Sequence, residues 1–435
     1  MRAFLPLLTF ISLFLGSGIY YQLQGAEFAF YKLPSPVAAL PAILLAFLLM
    51  KGTFDKRMNA FMEGLADHNV LTMCLIYLLA GGFGAVVKAI GGVDAVIYFG
   101  MKIMPDRFLV PGFFLLASLI STAIGTSMGT ISALGPIALG LAETGGLPKE
   151  LVFGALIGGA MFGDNLSFIS DTTIAATRSQ GCSMQDKFRT NFRLSLPSAL
   201  VTMVLLMFIV APGKGVPVQE MELYKALPYA AVLILALGGV NVFLVLALGI
   251  LMAGLIGIAS PEYSLLKWAQ DVYAGFKDMQ EIFLLSLFMG GLAQMMKVEG
   301  GISILRGALK KMKFQNERLE KFWSEFSIAL SVSIANLAVA NNTVAILITG
   351  DLAKEISHEE KIPADRSASI LDIFSCVIQG VIPYGAQVLL ASQIAKVSPV
   401  ALLGSIHYCY ILGAVTLFAM FYRAFKTAPG PVSAS

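Results

Sequence analysis

Charge is scarce in this sequence. Of 435 residues only 13% are Asp, Glu, Lys or Arg, and 57% are hydrophobic. Soluble domains carry about a quarter charged residues. The shortage excludes a water-soluble globular protein, a disordered chain and a nucleic-acid binder. Histidine is nearly absent, and the three present (His68, His358, His407) share no metal-ligand spacing. The four cysteines (Cys74, Cys182, Cys376, Cys409) include no CxxC pair. Three of them lie in apolar runs, where they read as small packing residues, so neither a disulfide framework nor a zinc site is expected. No sign of charge dominates either: 30 Lys+Arg stand against 27 Asp+Glu, a balance that says nothing about acidic partners.

What is abundant is apolar length, with a mean hydropathy of +0.79. At about 20 residues per span, the chain has room for roughly ten to twelve membrane crossings and no sizeable soluble domain. The fold class is therefore all-α, a polytopic membrane protein. Phe4–Tyr20 lacks an A-x-A cleavage site and is retained as a span. Several later runs are interrupted. Phe108–Ala142 is too long for one crossing and holds GTSMGT at its middle; Phe326–Ile348 holds ANNT. Leu151–Ala176 is cut by GDNLSFISD, and Ile370–Ile394 by QGVIPYG. Ala226–Ala259 must turn at Gly238, Gly239 and Asn241.

An internal repeat orders these interruptions. Glu63–Gly92 aligns with Ala274–Gly301: Gly64 with Gly275, Asp67 with Asp278, Gly81-Gly82 with Gly290-Gly291, Lys88 with Lys297, and Gly91-Gly92 with Gly300-Gly301. Each match is followed by an amphipathic stretch (Val93–Arg107, Ile302–Gln315), a long run with a polar centre, a broken run and a plain span. The halves are 1–212 and 213–435. If each polar-centred run (108–142 and 325–355) is a re-entrant hairpin entering and leaving on one side, each half holds five spans, one re-entrant hairpin and one broken helix (151–177 and 366–396). An odd number of spans makes the two repeats inverted. Loop charge agrees: with both termini inside, about 20 of the 30 Lys+Arg face the cytoplasm, the basic group Arg178–Arg193 with Lys187 among them. Lys88 and Lys297 flank spans and can snorkel, and Met289–Met296 reads as core filler.

Unpaired backbone in hydrocarbon costs several kcal/mol per group, so two breaks and two hairpin tips are expected to enclose a polar mid-membrane site. The first break places Asp164, Asn165, Ser167, Ser170, Asp171 and Thr172 within one short stretch. Carboxylate, amide, hydroxyl and carbonyl oxygens are hard ligands that suit Na+ or H+; Asp164, Asn165, Ser167 and Asp171 are the expected ligands of a transported cation. Ser170, Asp171 and Thr172 also suit capping of the second half-helix. An Asp at mid-membrane costs about 2.5–3.5 kcal/mol, which marks Asp164 as functional. The first tip offers Thr126, Ser127 and Thr130; the second offers Asn341, Asn342 and Thr343. The matching break offers Gln379 and Gln387, with Asp372 two turns earlier as a second candidate proton carrier. No resident cofactor is expected.

The string GDNLSFISDTT, with the basic stretch Arg178–Arg193 behind it, resembles the G-D-x-x-S-x-x-S-D-T-T signature of NhaC-type Na+/H+ antiporters. The halves resemble the ion-transporter superfamily plan of inverted repeats, each with a hairpin and a broken helix, over most of the chain. By motif match the resemblance carries roles to Asp164, Ser167, Ser170, Asp171 and Thr172. The pattern's third position, often Lys in the family, is Asn165 here. The resemblance implies a secondary active transporter, not an enzyme, in a bacterial inner membrane with cytoplasmic termini. It would exchange Na+ for H+ by alternating access, as a homodimer, with hairpins and broken helices moving against a scaffold of Val70–Val87 and Ile282–Met296. Its partners would be Na+, H+ and the lipid bilayer.

A Na+- or H+-coupled carrier of a small organic acid or amino acid fits the same plan, although no Arg lies in the tips or breaks to clamp a dicarboxylate. An intramembrane aspartyl protease would need Asp164 and Asp372 face to face, and their contexts, Phe-Gly-Asp and Leu-Asp-Ile, do not fit that family. A channel's filter repeat is not visible.

Overall fold

The computed structural model describes residues 4–24, 32–103, 105–168, 170–209, 222–238, 240–261, 263–300 and 317–426. The stretch Ile302–Gln315, Gly239, Gly301 and the 212/213 junction lie outside them. The described chain is helical. Its first half runs α1 (Leu5–Leu23), α2 (Ser35–Leu49), α3 (Phe54–Leu65), α4 (His68–Ala89), α5 (Gly92–Ile103), α6 (Asp106–Ile124), α7 (Ser127–Gly145), α8 (Lys149–Leu166), α9 (Asp171–Gln180) and α10 (Met184–Ile209). The second runs α11 (Leu227–Leu237), α12 (Val242–Ile258), α13 (Leu265–Asp278), α14 (Gln280–Val298), α15 (Glu317–Val339), α16 (Asn342–Glu359), α17 (Ala364–Val381), α18 (Ala386–Ala395), α19 (Pro399–Leu403) and α20 (His407–Lys426).

Among the described residues, eight helical segments are long and apolar enough to cross a membrane: Val70–Ala89, Arg107–Ile124, Lys149–Gln180, Met184–Ile209, Gln280–Val298, Arg318–Val339, Ala364–Ala395 and His407–Lys426. Shorter apolar helices cover Leu5–Tyr21, Ser35–Leu49, Leu223–Leu235 and Val242–Ile258. The protein is an all-α polytopic membrane protein with about eight membrane-spanning helices. Two of the eight segments are interrupted. Helix α8 stops at Leu166 and α9 starts at Asp171; α17 stops at Val381 and α18 starts at Ala386. The turn expected near Asn241 is present, with its side chain accepting from Phe243 N–H (2.9 Å) to start α12.

The turns repeat. Between α6 and α7 the chain turns at Gly125, φ 78°, and Thr126 caps α7 by accepting from Gly129 N–H (3.5 Å). Between α15 and α16 it turns at Ala340, φ 50°, and Asn341 caps α16 by accepting from Val344 N–H (3.0 Å). One constant sequence offset relates Gly125 to Ala340, Gly146 to Lys361 and Gly181 to Lys396, all left-handed. Three of these six carry a Cβ, at about 1–2 kcal/mol each, so the backbone path persists where glycine has gone. The same offset relates two buried bonds that tie neighbouring helices together: Ser121 Oγ to the carbonyl of Ala160 (2.5 Å), and Asn336 Nδ2 to that of Ser375 (2.7 Å).

Helix α4 packs on α13, and α14 on α3. The contacts are made by the glycines that align in sequence. Gly81 lies so close to Gly275 that a Cβ on either would strike the other's carbonyl, and Gly64 meets Gly290 in the same way. A large core gathers Tyr77, Phe83, Phe114, Phe153 and Tyr408. A second cluster joins Phe10 and Phe14 of α1 to Met289, Met295 and Met296 of α14, the filler role expected for those methionines. All four cysteines are free thiols, three of them buried.

One placement differs from the sequence expectation. The basic stretch Arg178–Arg193 is not a loop: α9 ends at Gln180, α10 starts at Met184, and Lys187 is buried on α10. It faces inward with Asn191, Ser195, Ser198 and Thr202, one stripe at helical spacing.

Candidate functional site

The starts of four helices meet at one cavity of about 90 Å³. Thr126 and Ser127 come from α7, Ser170–Thr172 from α9, Asn341–Thr343 from α16 and Gln387 from α18; Asp164 comes from the last turn of α8. The remaining wall is α4, through Thr72, Met73 and Ile76. Each helix start exposes N–H groups without intrahelical partners and carries about half a positive charge. The cavity therefore favours negative groups, and Asp164 is one.

Asp164 is 5% exposed. Ser127 Oγ donates to its Oδ2 (2.7 Å) and Ser170 Oγ to its Oδ1 (2.5 Å). Ser170, the N-cap of α9, also shares a hydrogen bond with Thr172 Oγ1 (2.9 Å). A chain of amides leads in from the second half. Gln379 Nε2 donates to the carbonyl of Ala340 (3.1 Å) and to Gln387 Oε1 (2.9 Å), and Gln387 Nε2 donates to Ser127 Oγ (3.1 Å). The Ala340 carbonyl can only accept, so both amides are oriented by it. Asp164 thus receives two hydroxyl donors and the Ser127 N–H (3.4 Å) and, among the described residues, no Lys or Arg partner.

The other expected residues divide. Asp171 lines the cavity with an exposed side chain as the first residue of α9. Asn341 and Asn342 spend their side-chain oxygens on N–H groups at the start of α16, beside Thr343. Thr130 Oγ1 turns back to the carbonyl of Thr126 (3.0 Å). Ser167 ends α8, and its carbonyl accepts from Thr173 Oγ1 (2.8 Å). Asn165 and Asp372 belong to a separate buried cluster. Lys187 Nζ donates to the carbonyl of Asn165 (2.8 Å) and to Thr173 Oγ1 (2.7 Å), and pairs with Asp372 Oδ2 (2.5 Å). Asn191 Nδ2 reaches the same carbonyl (3.0 Å), Asn165 Oδ1 (2.5 Å) and Asp372 Oδ2 (2.8 Å). Sequence reasoning missed Lys187 and Asn191; the polar stripe along the otherwise apolar α10 was the available signal. Among the described residues, no three of His, Cys, Asp and Glu gather as a metal cluster.

A second cavity, about 290 Å³, lies further along the same face of α4, where Ala80, Gly84 and Lys88 continue the line of Met73 and Ile76. Its opposite wall holds Pro136, Gly140 and Glu143 of α7 and Ile394 of α18.

A buried carboxylate at interrupted helices of a polytopic chain marks a candidate functional site. The model of the Na+/H+ antiporter family matches residues 6–210. The chain is similar to that family over this stretch, just under half of its length. The chain is 31% identical over 219 residues to the malate-2H(+)/Na(+)-lactate antiporter of Bacillus subtilis, covering 48% of this chain and 45% of that protein. It therefore spans under half the length of that relative. It is 27% identical over 326 residues to the Na(+)/H(+) antiporter NhaC of the same organism (66% and 70% covered). With an uncharacterized Na(+)/H(+) antiporter of Haemophilus influenzae it shares 23% identity over 444 residues, 92% and 93% of the two chains. The chain is a polytopic membrane protein, and these relatives are bacterial.

Proposed function

We propose that the protein exchanges Na+ for H+ by alternating access, with Asp164 holding the two in turn. The observation that carries this reading is the contrast between the two buried acids: Asp372 is already neutralised by Lys187, whereas Asp164 has only neutral donors, the hydroxyls of Ser127 and Ser170 and the Ser127 N–H. A cation at Asp164 takes the carboxylate and hydroxyl oxygens that turn toward it. A proton instead binds the carboxylate and restores a neutral, fully hydrogen-bonded group. Ser170 and Thr172 suit this exchange because either hydroxyl can donate to the other. Asp171, exposed on the cavity, draws cations in.

The halves 1–212 and 213–435 act as inverted repeats. In support, left-handed turns and buried tie bonds recur at one offset, and the aligned glycines meet each other's counterparts. On this reading α6–α7 and α15–α16 are re-entrant hairpins, and α8–α9 and α17–α18 are broken helices. Counting each broken helix as one crossing, the other long segments and the four shorter apolar helices bring each half to five spans, both termini are cytoplasmic in a bacterial inner membrane, and the larger cavity along α4 is the outer access route. The α4 and α14 helices serve as scaffold and dimer surface.

A second reading has a specific observation behind it. Four helix starts on one cavity suit an anionic substrate beside the cation, and one relative is named for malate and lactate. Purified protein in proteoliposomes with an internal pH dye decides between them. Proton movement driven by Na+ alone supports Na+/H+ exchange; movement that requires malate, lactate or an amino acid supports the second reading; movement under neither condition refutes both.

A further inference from the structure

Lys187 is the one lysine of the described chain that lies buried between the two halves, and the transport reading above gives it no task. We propose that Lys187 is a positioning residue for the cation site. It holds the α8–α9 break in its binding shape, and Asp372 serves to neutralise it, not to carry transported charge.

Three observations support this. First, the ammonium has three N–H donors and three acceptors, namely the Asn165 carbonyl, Thr173 Oγ1 and Asp372 Oδ2. None is left for an ion or a substrate. Second, two of those acceptors serve the break. The end of α8 frees carbonyls that hydrocarbon cannot satisfy. Lys187 takes that of Asn165 directly and that of Ser167 through Thr173, whose hydroxyl donates to it. Asp164 stands beside Asn165, and Ser170, its hydroxyl donor, lies across the break. Fixing these carbonyls therefore fixes the distance between the carboxylate and the start of α9.

Third, the pair exists only once. At the offset that relates Gly125 to Ala340, Lys187 corresponds to Leu402 and Asp372 to Ile157, and both counterparts are fully buried. The second break thus keeps its form with apolar residues in these places. A buried ion pair is costly to assemble and is often no more stabilising than well-packed apolar residues. The first break carries one nonetheless, and it is the break with the carboxylate: the offset places Gln379 opposite Asp164. Lone removal of Lys187 would leave Asp372 as an uncompensated buried charge.

The experiment installs the counterparts. Lys187→Leu/Asp372→Ile, Thr173→Val, Asp164→Asn and wild type are purified and reconstituted. Dye-reported proton flux is followed over a Na+ series, and stabilisation by Na+ is read as the shift in Tm of the detergent-solubilised protein. The double variant removes both charges, so it is expected to fold with a Tm close to wild type. Its KM for Na+ is expected to rise at least tenfold, with a smaller change in maximal rate and loss of the Na+-induced Tm shift. Thr173→Val keeps the pair but leaves the Ser167 carbonyl without its hydroxyl donor, and its KM is expected to rise several-fold. A wild-type KM and Tm shift in the double variant overturn the proposal; if that variant does not fold, a wild-type KM in Thr173→Val overturns it. The proposal rests on Asp164 as the cation carboxylate, and the arms separate the two. Wild-type flux in Asp164→Asn removes that basis. An inactive Asp164→Asn with an unaltered double variant removes only the role of Lys187.

Discussion

Gln387 in the second half donates its side-chain amide to the hydroxyl of Ser127 in the first, at 3.1 Å. Ser127 then has one direction left for its own proton, and it donates to Asp164. The state of α18 is thereby transmitted to the carboxylate through a single hydroxyl. Gln387→Leu keeps the volume and removes the link. A buried hydrogen bond of this kind contributes about 1–1.5 kcal/mol, so the maximal exchange rate should fall about tenfold while the protein remains folded. Stopped-flow dye measurements in proteoliposomes test this, and an unchanged rate would show that the link carries no coupling.

The glycine contacts between α4 and α13 and between α3 and α14 predict a stability pattern. Gly81→Ala and Gly275→Ala each push a methyl group into the opposing backbone carbonyl, and Gly64→Ala and Gly290→Ala do the same at the second contact. Overpacking against backbone costs about 1–3 kcal/mol. Gly16→Ala and Gly404→Ala have open space around the new methyl and should be neutral. Thermal unfolding in detergent would show lowered Tm for the first group only. Equal behaviour of the two groups would contradict the close packing.

The inverted topology proposed above predicts sidedness. Single cysteines replacing Lys149 and Lys396 should react with an impermeant maleimide from outside intact cells. Those replacing Lys51 and Lys361 should react only after the membrane is opened. Labelling of both members of either pair from opposite sides would end the two-repeat reading.

Much of this was legible in sequence because breaking a helix in a membrane requires particular residues. GDNLSFISDTT and QGVIPYG mark two places where α-helix cannot continue, and both are interruptions in the structure. The turn at Gly125-Thr126 was legible for the same reason. What sequence could not supply was phase. Ser170 and Asp171 are neighbours, yet Ser170 as N-cap points its hydroxyl at Asp164 while Asp171 is exposed. Which of two adjacent polar residues turns inward depends on where the new helix starts, and one residue decides it. Lys187 was hidden differently. It sits among Arg178, Arg189 and Arg193, so it reads as part of a basic loop, and its acceptors on α8, α9 and α17 are distant or separated by a helix boundary. Gln387 likewise gains its meaning only from Ser127, far away in the chain.

The central claim is that Asp164 is the carboxylate that binds Na+ and H+ in turn. Asp164→Asn keeps the shape and removes the charge; its amide oxygen accepts from one of Ser127 and Ser170, and its NH2 donates to the other hydroxyl. The deciding measurement is Na+-driven proton flux of this variant in proteoliposomes across pH 6 to 9, alongside wild type and Asp372→Asn. The account predicts no Na+-dependent flux from Asp164→Asn at any pH, from protein that elutes as a folded species. Flux equal to wild type throughout that range would contradict it.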